Sequence, residues 1–368
     1  MKIAIIGAGL SGITAAYIIK NSDPYIEIDL FEKQKEIGGN CADESNKFGY
    51  MQKYGPHIFH TDKRYIWNYL NSFSTFKFYQ HKVLSYVEGS YKQFPFTKQY
   101  INNYDPSIFD RIKIFNEEAT VQSDFKNAEE YLYYILGKEL TDLYFKNYSE
   151  KQWGISFNEL TIEVVKRIPI RGNNDIRYFS DKYQGIPQNG YSSLLNSILE
   201  SIKVKVIYDN VTYDSIKGKY DLIINTGETD SFFNNIYDEL EYRSIIFDFK
   251  KNLPSQEVAV LNYPNDYDFT RITEYNHFLP SNTFGLEYPV KQNTENSVKC
   301  YPIFWEEESK QRFQKYQELA KQSNVILLGR MGLYQYLNMD AAIDVVFNSL
   351  TQFNSLELKK ELENDIII

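Results

Sequence analysis

The stretch from Met1 to Glu32 constrains the possible folds of this chain more than any other. Its apolar spacing predicts a short buried strand, a glycine turn, a helix, a break and a second strand, over residues 2–6, 7–12, 13–20, 21–24 and 26–31. A strand, glycine turn, helix and strand that close on an acidic residue are typical of a Rossmann-like dinucleotide-binding unit. The sequence therefore predicts an α/β fold.

Each glycine of the turn GAGLSG has a separate duty in such a unit. Gly7 allows the tight turn, Gly9 lets the backbone approach a pyrophosphate, and Gly12 lets the helix pack closely on the strand. The unpaired N–H groups at the start of the helix attract phosphate. Glu32, twenty residues after Gly12, is placed to accept hydrogen bonds from a ribose.

A second glycine pair favours FAD over NAD as the dinucleotide. Gly38 and Gly39, in IGGN, can bring further N–H groups to the same pyrophosphate, and a simple glycine turn is the alternative. Far downstream, residues 325–328 predict a strand that leads into GRMG and then a helix from about Asp340. Arg330 in this motif would face the pyrophosphate or the flavin ring, unless it forms a surface salt bridge.

Length and charge limit the other possibilities. A chain of 368 residues with 43% apolar residues can bury a full core and predicts one large unit with an insertion. The net charge of −9 argues against broad nucleic-acid binding, so an anionic ligand would need a local group of arginines. Two cysteines, no signal-like segment and no apolar run of about 20 residues predict a cytoplasmic protein outside the membrane.

The middle of the chain predicts a helical insertion with an aromatic end. From about Asn127, leucine and isoleucine recur at helical intervals. The carboxyl end of this stretch contains Tyr144, Phe145, Tyr148 and Trp153 beside lysines. Aromatic side chains mixed with polar ones suit a platform for a planar base, although some of them must belong to the core.

A basic segment follows the helical insertion. Lys166, Arg167, Arg171 and Arg177 are interrupted by proline, glycine and asparagine, which predicts a mobile loop and no fixed helix. In an acidic protein this cluster is a candidate diphosphate clamp, because guanidinium groups match phosphate oxygens. A solvated loop paired with nearby carboxylates is the alternative. Farther on, Arg271 lies in a predicted strand.

The run GPHIFHT, residues 55–61, allows three interpretations: a metal site, an acid/base pair or a wall against a flat cofactor. Gly-Pro predicts a turn into an extended segment, in which His57 and His60 point to opposite sides. No Cys-x-x-Cys or His-Glu-x-x-His motif supplies further ligands. The sequence therefore predicts no metal.

Together these segments resemble the bacterial UDP-galactopyranose mutase family. The motifs that carry the resemblance follow the family's order along nearly the whole chain: GAGLSG, IGGN, YGPHIFHT, KQWG, KRIPIR, YFSDKYQGIP, TRITE, YPI and GRMGLYQYLNMD. The resemblance implies an isomerase with noncovalent FAD, active when reduced, that interconverts UDP-galactopyranose and UDP-galactofuranose. It implies attack of reduced flavin N5 on the anomeric carbon, departure of UDP and no net redox change.

Three alternatives stay open. The chain could be a UDP-N-acetylgalactosamine mutase of the same family, a flavin oxidoreductase of the amine-oxidase type, or a non-catalytic sensor of nucleotide sugar or flavin. By resemblance the α/β fold, mixed with α+β, has an FAD-binding Rossmann-like domain (1–75, 185–240 and 320–368), a helical domain (98–165) and an antiparallel β-sheet substrate domain (76–97, 166–184 and 241–319). A mobile loop would cover residues 160–179.

The resemblance also implies roles for individual residues. The implied catalytic residues are Arg167, Arg271 and His60. The two arginines match those that hold the diphosphate and oppose the charge of the leaving group, and His60 faces the flavin. The implied substrate-binding residues are Tyr144, Phe145, Tyr148 (stacked on uracil), Ser149, Trp153, Arg167, Tyr178, Asn262, Arg271, Tyr301 and Tyr336. The implied cofactor-binding residues are Gly7, Gly9, Ser11, Gly12, Glu32, Lys33, Gly39, Asn40, His57, Ile58, His60, Arg330, Tyr336, Asn338 and Met339.

The implied partners are a UDP-sugar, NAD(P)H or another cellular reductant, and a second copy of the chain in a homodimer. The implied role is galactofuranose biosynthesis for cell-surface polysaccharide.

Two departures from the family stand out. Asn338 replaces a common aspartate, which puts proton transfer at this position in doubt, and Glu228 replaces a usual proline, which we expect to affect loop stiffness only.

Overall fold

The computed structural model of the chain describes residues 1–108, 110–111, 125–166 and 170–364. Within these residues the strands form sheets of five, seven, three and two strands. The strands are β1 (Lys2–Ile6), β2 (Glu27–Glu32), β3 (Asp43–Asn46), β4 (Gly49–Gln52), β5 (Phe59–Thr61), β6 (Phe76–Phe78), β7 (Val83–Val87), β8 (Ser90–Phe94), β9 (Tyr183–Pro187), β10 (Val206–Tyr208), β11 (Leu222–Asn225), β12 (Tyr242–Lys251), β13 (Val260–Asn262), β14 (Arg271–Glu274), β15 (Thr283–Lys291), β16 (Val298–Pro302) and β17 (Val325–Leu327).

The five-stranded sheet is parallel and has the order β10-β2-β1-β11-β17. Ile3 and Ile5 of β1 are fully buried, as expected for a central strand covered by helices on both faces. The helix after β1 begins at Leu10, earlier than residue 13, because Gly9 already ends the turn as the residue that caps the helix. The predicted mixed α/β architecture is present.

The seven-stranded sheet has the order β16-β12-β15-β14-β13-β7-β8. Its pairs are antiparallel except β7 and β13, which run parallel. The expected antiparallel sheet is therefore mixed. Parallel neighbours need a long crossover connection, and the helical insertion lies in the chain between these two strands. In the three-stranded sheet β5-β9-β6, His60 is the Cα partner of Gln184.

The helices connect these sheets and fill the insertion. The α-helices are Leu10–Ser22, Arg64–Asn71, Lys98–Tyr104, Ala128–Leu136, Lys138–Thr141, Asn147–Trp153, Ile162–Lys166, Tyr191–Ile202, Tyr213–Ile216, Thr229–Phe232, Glu307–Gln322, Gly329–Gly332, Met339–Ser349 and Ser355–Asn364. Short 3₁₀ turns cover Gly39–Cys41, Phe157–Glu159, Tyr275–His277 and Thr351–Phe353. No described helix is long and apolar enough to span a bilayer.

The helical insertion is broken into short elements before the aromatic cluster. Gly137, with a φ of 80°, separates the first two helices, and a π-helical turn at Asp142–Lys146 leads into the helix Asn147–Trp153. The first part of the predicted loop 160–179 is helical, over Ile162–Lys166, because Val164 and Val165 are buried on one side of it. Arg167 lies outside the described residues.

Candidate active site

The first of two adjoining cavities, of about 550 Å³, lies beside the turn that follows β1. The predicted cofactor-binding residues in its wall are Gly7, Gly9, Ser11, Glu32, Lys33, Gly39, Asn40, His57, Arg330, Asn338 and Met339. Ile58, His60 and Tyr336 line the second cavity instead. Gly12 is not in either wall; a Cβ on Gly12 would lie 1.9 Å from the Gly7 carbonyl oxygen, so its duty is close packing.

Two glycine loops meet in the wall of the first cavity. The N–H of Gly38 donates a hydrogen bond of 3.0 Å to the carbonyl oxygen of Ala8, and a Cβ added to Gly9 would lie 3.6 Å from Cα of Gly39, so the two loops are in direct contact. Glu32 is buried, and its carboxylate accepts hydrogen bonds from the backbone N–H of Ala8 (2.8 Å) and of Gln34 (2.8 Å). The acid is thus fixed against the first glycine loop. The Oγ of Ser244, fully buried in the same wall, has no hydrogen-bond partner in the described part of the chain.

Glu228 forms two ion pairs, so its presence in place of a proline affects more than the stiffness of the loop. Its carboxylate pairs with Lys33 at 2.6 Å and with Lys299 at 3.0 Å, and all three side chains line the first cavity. Burial raises the pKa of Glu228, but the two lysines outweigh burial and keep this pKa below its ordinary value. The ion pairs join the loop after β11 to the end of β2 and to β16.

The second cavity, of about 460 Å³, collects the predicted substrate-binding residues that the structure describes: Tyr144, Phe145, Tyr148, Ser149, Trp153, Tyr178, Asn262, Arg271, Tyr301 and Tyr336. The π-helical turn carries the first two of these residues. The hydroxyl of Tyr144 is hydrogen-bonded to that of Tyr100, which fixes the turn against a neighbouring helix. Single π-helical turns within helices are frequent at functional sites.

Arg271 has a buried acidic partner that sequence reasoning missed. Glu287, 2% exposed, is its Cα partner on the neighbouring strand, and Oε2 of Glu287 lies 3.2 Å from Nε of Arg271. Burial raises the pKa of Glu287, and Arg271 acts against this rise. A single acid inside the apolar run TFGLEYPV was the available signal.

The basic loop uses two of its arginines internally. Arg171 donates hydrogen bonds to the carbonyl oxygens of Arg177 (3.1 Å) and Tyr178 (3.0 Å), and Arg177 pairs with Asp175 at 2.7 Å. The pair of Arg177 and Asp175 matches the alternative of a loop paired with nearby carboxylates, whereas the diphosphate-clamp interpretation stays a prediction. Arg171 still contributes to the wall of the second cavity.

The two histidines of GPHIFHT are held differently. His57 lines both cavities and has its Nδ1 2.9 Å from the Gly55 carbonyl; burial, followed by Arg330, lowers its pKa to about 4. The ring of His60 stacks on Phe179 with centroids 3.7 Å apart, and its Nδ1 lies 3.0 Å from Asp181.

The two cavities share part of their walls. The shared residues are Asn40, Tyr54, His57, Arg330, Asn338 and Met339. Arg330 donates hydrogen bonds to the carbonyl oxygens of Leu337 (2.7 Å) and Cys300 (3.4 Å), and its guanidinium lies 4.7 Å from the centre of the Tyr336 ring. The surface salt bridge considered for Arg330 is therefore wrong. Ligands in the two cavities would meet at this junction.

Comparisons with known proteins agree with this geometry. A family model described as UDP-galactopyranose mutase matches residues 143–336, and one described as an NAD(P)-binding Rossmann-like domain matches residues 5–73. A probable UDP-galactopyranose mutase of Klebsiella pneumoniae is 31% identical over 98% of this chain and 96% of its own length. A dTDP-fucopyranose mutase of Escherichia coli is 30% identical over 93% and 95%. A crystal structure of reduced UDP-galactopyranose mutase superposes with a TM-score of 0.72 and 17% identity over 98% and 97%.

Proposed function

The chain belongs to the UDP-galactopyranose mutase family, and from this premise we propose that it interconverts UDP-galactopyranose and UDP-galactofuranose with bound, reduced FAD and no net redox change. The family predicted from the motifs is confirmed by the family match over residues 143–336 and by the 31% identical relative. One observation carries the proposal. A dinucleotide-type cavity with two glycine loops shares a wall with a cavity that contains Arg271 and a group of aromatic side chains.

The residues of the first cavity fit a flavin dinucleotide. Gly9 and Gly39 present backbone without side chains to the cavity where a pyrophosphate would lie, Glu32 offers a fixed carboxylate to a ribose, and Ser244 has a buried hydroxyl without a partner among the described residues. We propose FAD as this dinucleotide, with its ring at the junction formed by His57, Arg330 and the other shared residues. When bound and reduced, FAD supplies the nucleophile for the anomeric carbon of the sugar.

Arg271 has the central electrostatic role among the described residues. Its guanidinium binds the diphosphate and opposes the negative charge that develops on UDP as the glycosidic bond breaks. Glu287 holds the guanidinium in place from the neighbouring strand. Arg167, which lies outside the described residues, is proposed as the second diphosphate-binding arginine on the resemblance alone.

The aromatic side chains of the second cavity bind the nucleotide and exclude water. Tyr148, at the amino end of the helix Asn147–Trp153, is proposed to stack on uracil, with Phe145 and Asn262 beside it. Tyr301 and Tyr336 stack with centroids 5.6 Å apart and form the wall toward the junction. Closure of the loop 160–179 would exclude water from the reacting sugar.

The experiment that tests this function uses purified holoenzyme reduced with dithionite under anaerobic conditions. It is incubated with UDP-galactofuranose, and products are separated by chromatography. We expect UDP-galactopyranose to accumulate with reduced enzyme and not with oxidised enzyme. No product with either form would contradict the proposal.

A second candidate function is the same type of isomerisation on a nucleotide sugar with a different sugar or base. The dTDP-fucopyranose mutase of Escherichia coli is as similar to this chain as the Klebsiella relative, within one per cent of identity. dTDP-fucofuranose and the UDP-N-acetylgalactosamine analogue therefore belong in the same assay. A higher kcat/KM for either one would reassign the substrate while leaving the flavin-dependent isomerisation in place.

We also propose the setting in which the enzyme works. Cys41 and Cys300 are free and buried, which suits the reducing cytoplasm. NAD(P)H or another cellular reductant would reduce the flavin, and the product would supply galactofuranose for cell-surface polysaccharide. A homodimer, and the division into FAD-binding, helical and substrate domains given above, are proposed on the resemblance; light scattering of the purified protein measures the oligomeric state.

A further inference from the structure

His81 lines the second cavity and lacks the partner that a buried imidazole requires. It lies in the connection between β6 and β7, is 5% exposed, and has an Nδ1 without a hydrogen-bond partner among the described residues. Leaving a buried polar nitrogen unpaired costs about 1–3 kcal/mol. No motif in the sequence pointed to this residue.

The position of His81 is fixed by its neighbours. Phe179 lies between two imidazoles: its ring centre is 3.7 Å from that of His60 and 5.7 Å from that of His81, with interplanar angles of 12° and 28°. The backbone N–H of Tyr178 donates a hydrogen bond of 2.7 Å to the carbonyl oxygen of His81. Within the described part of the chain the ring is thus oriented by stacking and by its backbone, and not by a hydrogen bond at Nδ1.

His81 is uncharged at physiological pH. Burial lowers its pKa to about 3, and the nearby positive charge of Arg271 and the ring of His60 act in the same direction. A neutral imidazole carries one N–H and one lone pair. Because Nδ1 is closed off without a partner among the described residues, the tautomer with the proton on Nε2 leaves only a lone pair unpaired there, and the Nε2–H is the donor that remains for a ligand, without added positive charge.

The neighbours of His81 also indicate which part of a ligand it would contact. Arg271, the proposed diphosphate site, and His60, in the segment proposed to face the flavin, line the same cavity as His81. A sugar whose anomeric carbon must reach the flavin while its diphosphate stays on Arg271 has to lie between these two residues. A neutral N–H donor is a suitable partner for a sugar hydroxyl at this place. A phosphate would instead bind more strongly to a cationic donor.

We propose that His81 positions the hexose of the nucleotide sugar by donating a hydrogen bond to one of its hydroxyl oxygens, and so makes the enzyme select sugars that carry this hydroxyl. The proposal rests on the proposed mutase function and adds a specificity-determining residue to it.

Two substitutions of similar size provide the test. His81→Gln keeps an N–H donor near the position of Nε2, whereas His81→Leu removes it and leaves an apolar side chain in an aromatic environment. The affinities of oxidised holoenzyme for UDP and for UDP-galactose are measured by calorimetry. We expect His81→Leu to weaken UDP-galactose binding about tenfold and to leave UDP binding within twofold, and His81→Gln to retain most of the sugar affinity.

Deoxy analogues identify the hydroxyl. UDP-galactose analogues that lack the hydroxyl at C2, C3, C4 or C6 are compared by kcat/KM with reduced enzyme. For one analogue the wild type should lose about tenfold or more relative to UDP-galactose, and His81→Leu should lose no more than about twofold for that same analogue.

Each outcome has one meaning. Equal weakening of UDP and UDP-galactose, unchanged affinity in His81→Leu, or equal losses in the Leu and Gln variants would overturn the proposal. If His81→Leu does not retain flavin, the wild-type analogue series and His81→Gln decide, and a wild type indifferent to all four deoxy analogues refutes the role of His81. Failure of the wild type to isomerise any nucleotide sugar would refute the proposed function instead.

Discussion

The central arginine of this site is held in a buried ion pair. Arg271 and Glu287 occupy facing positions on β14 and β15, and the arginine side chain is 23% exposed while the carboxylate is nearly closed off. A buried charge is costly unless it is paired. The pair therefore links the stability of the sheet to the charge at the proposed diphosphate site.

Removing Arg271 tests this link. We expect Arg271→Met to lower kcat/KM more than about a hundredfold, because the leaving group loses a positioned cation. We also expect it to lower the free energy of unfolding by about 3 kcal/mol, because Glu287 is left unpaired. The double variant Arg271→Met/Glu287→Leu should recover much of the stability and none of the activity, as measured by urea unfolding and turnover.

Lys250 provides the control for that experiment. It pairs with Asp248 on an exposed face of the same sheet, so Lys250→Met should change the free energy of unfolding by less than about 0.5 kcal/mol. A double variant no more stable than Arg271→Met would contradict the role assigned to Glu287.

The lowered pKa of His81 predicts how the free energy of unfolding depends on pH. Its imidazole binds a proton near pH 6.5 in the unfolded chain but only near pH 3 in the folded chain, so acidification below about pH 6.5 favours unfolding. Between about pH 7.5 and 5.5 the wild type should lose about 1.4 kcal/mol relative to His81→Leu. Urea unfolding at the two pH values measures this difference.

The comparison with His81→Leu is needed because other groups titrate in the same range. Burial, together with Glu241, raises the pKa of Glu306 to about 7, which stabilises the folded chain on acidification in both proteins. A difference between wild type and variant that does not change with pH would mean that His81 binds a proton as readily in the folded chain as in the unfolded chain.

The residues of the site were predictable from the sequence where a short motif determines the role of each residue. The glycines of GAGLSG and IGGN, the aromatic side chains before KQWG and Arg271 could all be named in advance, and the structure brings them, apart from Gly12, to two adjoining cavities. Glu287 and His81 could not, because strand register and a stack formed by distant segments give them their environment. Arg171 and Arg177 resembled ligand-binding arginines but hold their own loop.

Among the elements, the π-helical turn Asp142–Lys146 sets the orientation of the aromatic residues. Deleting Leu143 would allow an ordinary α-helix and rotate the chain on one side of the deletion by about 100°. We expect this deletion to weaken UDP binding more than tenfold while FAD stays bound, measured by calorimetry and by the flavin absorbance. Leu143→Ala keeps the residue count and should bind UDP about as tightly as the wild type.

A second element-scale prediction concerns the loop after β11. Glu228 has a φ of −61°, which proline can adopt. Because its ion pairs join three segments, Glu228→Gln should lower the free energy of unfolding by about 1 kcal/mol, and Glu228→Pro should lose less, since proline restricts the unfolded chain. Equal stability of wild type and Glu228→Gln in urea would restore the simpler expectation that only loop stiffness matters.

Element bounds followed from the sequence only in part. The first strand agrees with its prediction, whereas the following helix begins at Leu10 and part of the predicted basic loop is the helix Ile162–Lys166. Apolar spacing locates a helix but not its ends, which depend on capping and packing. The π-helical turn has no sequence signature of its own.

At the scale of the whole molecule, function depends on how the two cavities meet. The parallel sheet supplies one cavity, the mixed sheet and the helical insertion supply most of the other, and His57, Arg330 and Asn338 belong to both. The dinucleotide-binding half was predictable because its signal is local. The parallel pairing of β7 with β13, which helps to form the second cavity, joins segments that are far apart in the chain and has no local signal.

The most direct test of the central claim measures how many product molecules form for each flavin that has been reduced once. Holoenzyme is reduced once, without oxygen or further reductant, and given excess UDP-galactofuranose while the visible absorbance of the flavin is followed. We predict many molecules of UDP-galactopyranose per flavin, with the flavin still reduced at the end. Reoxidation of the flavin after about one product per enzyme, or no product at all, would contradict the account.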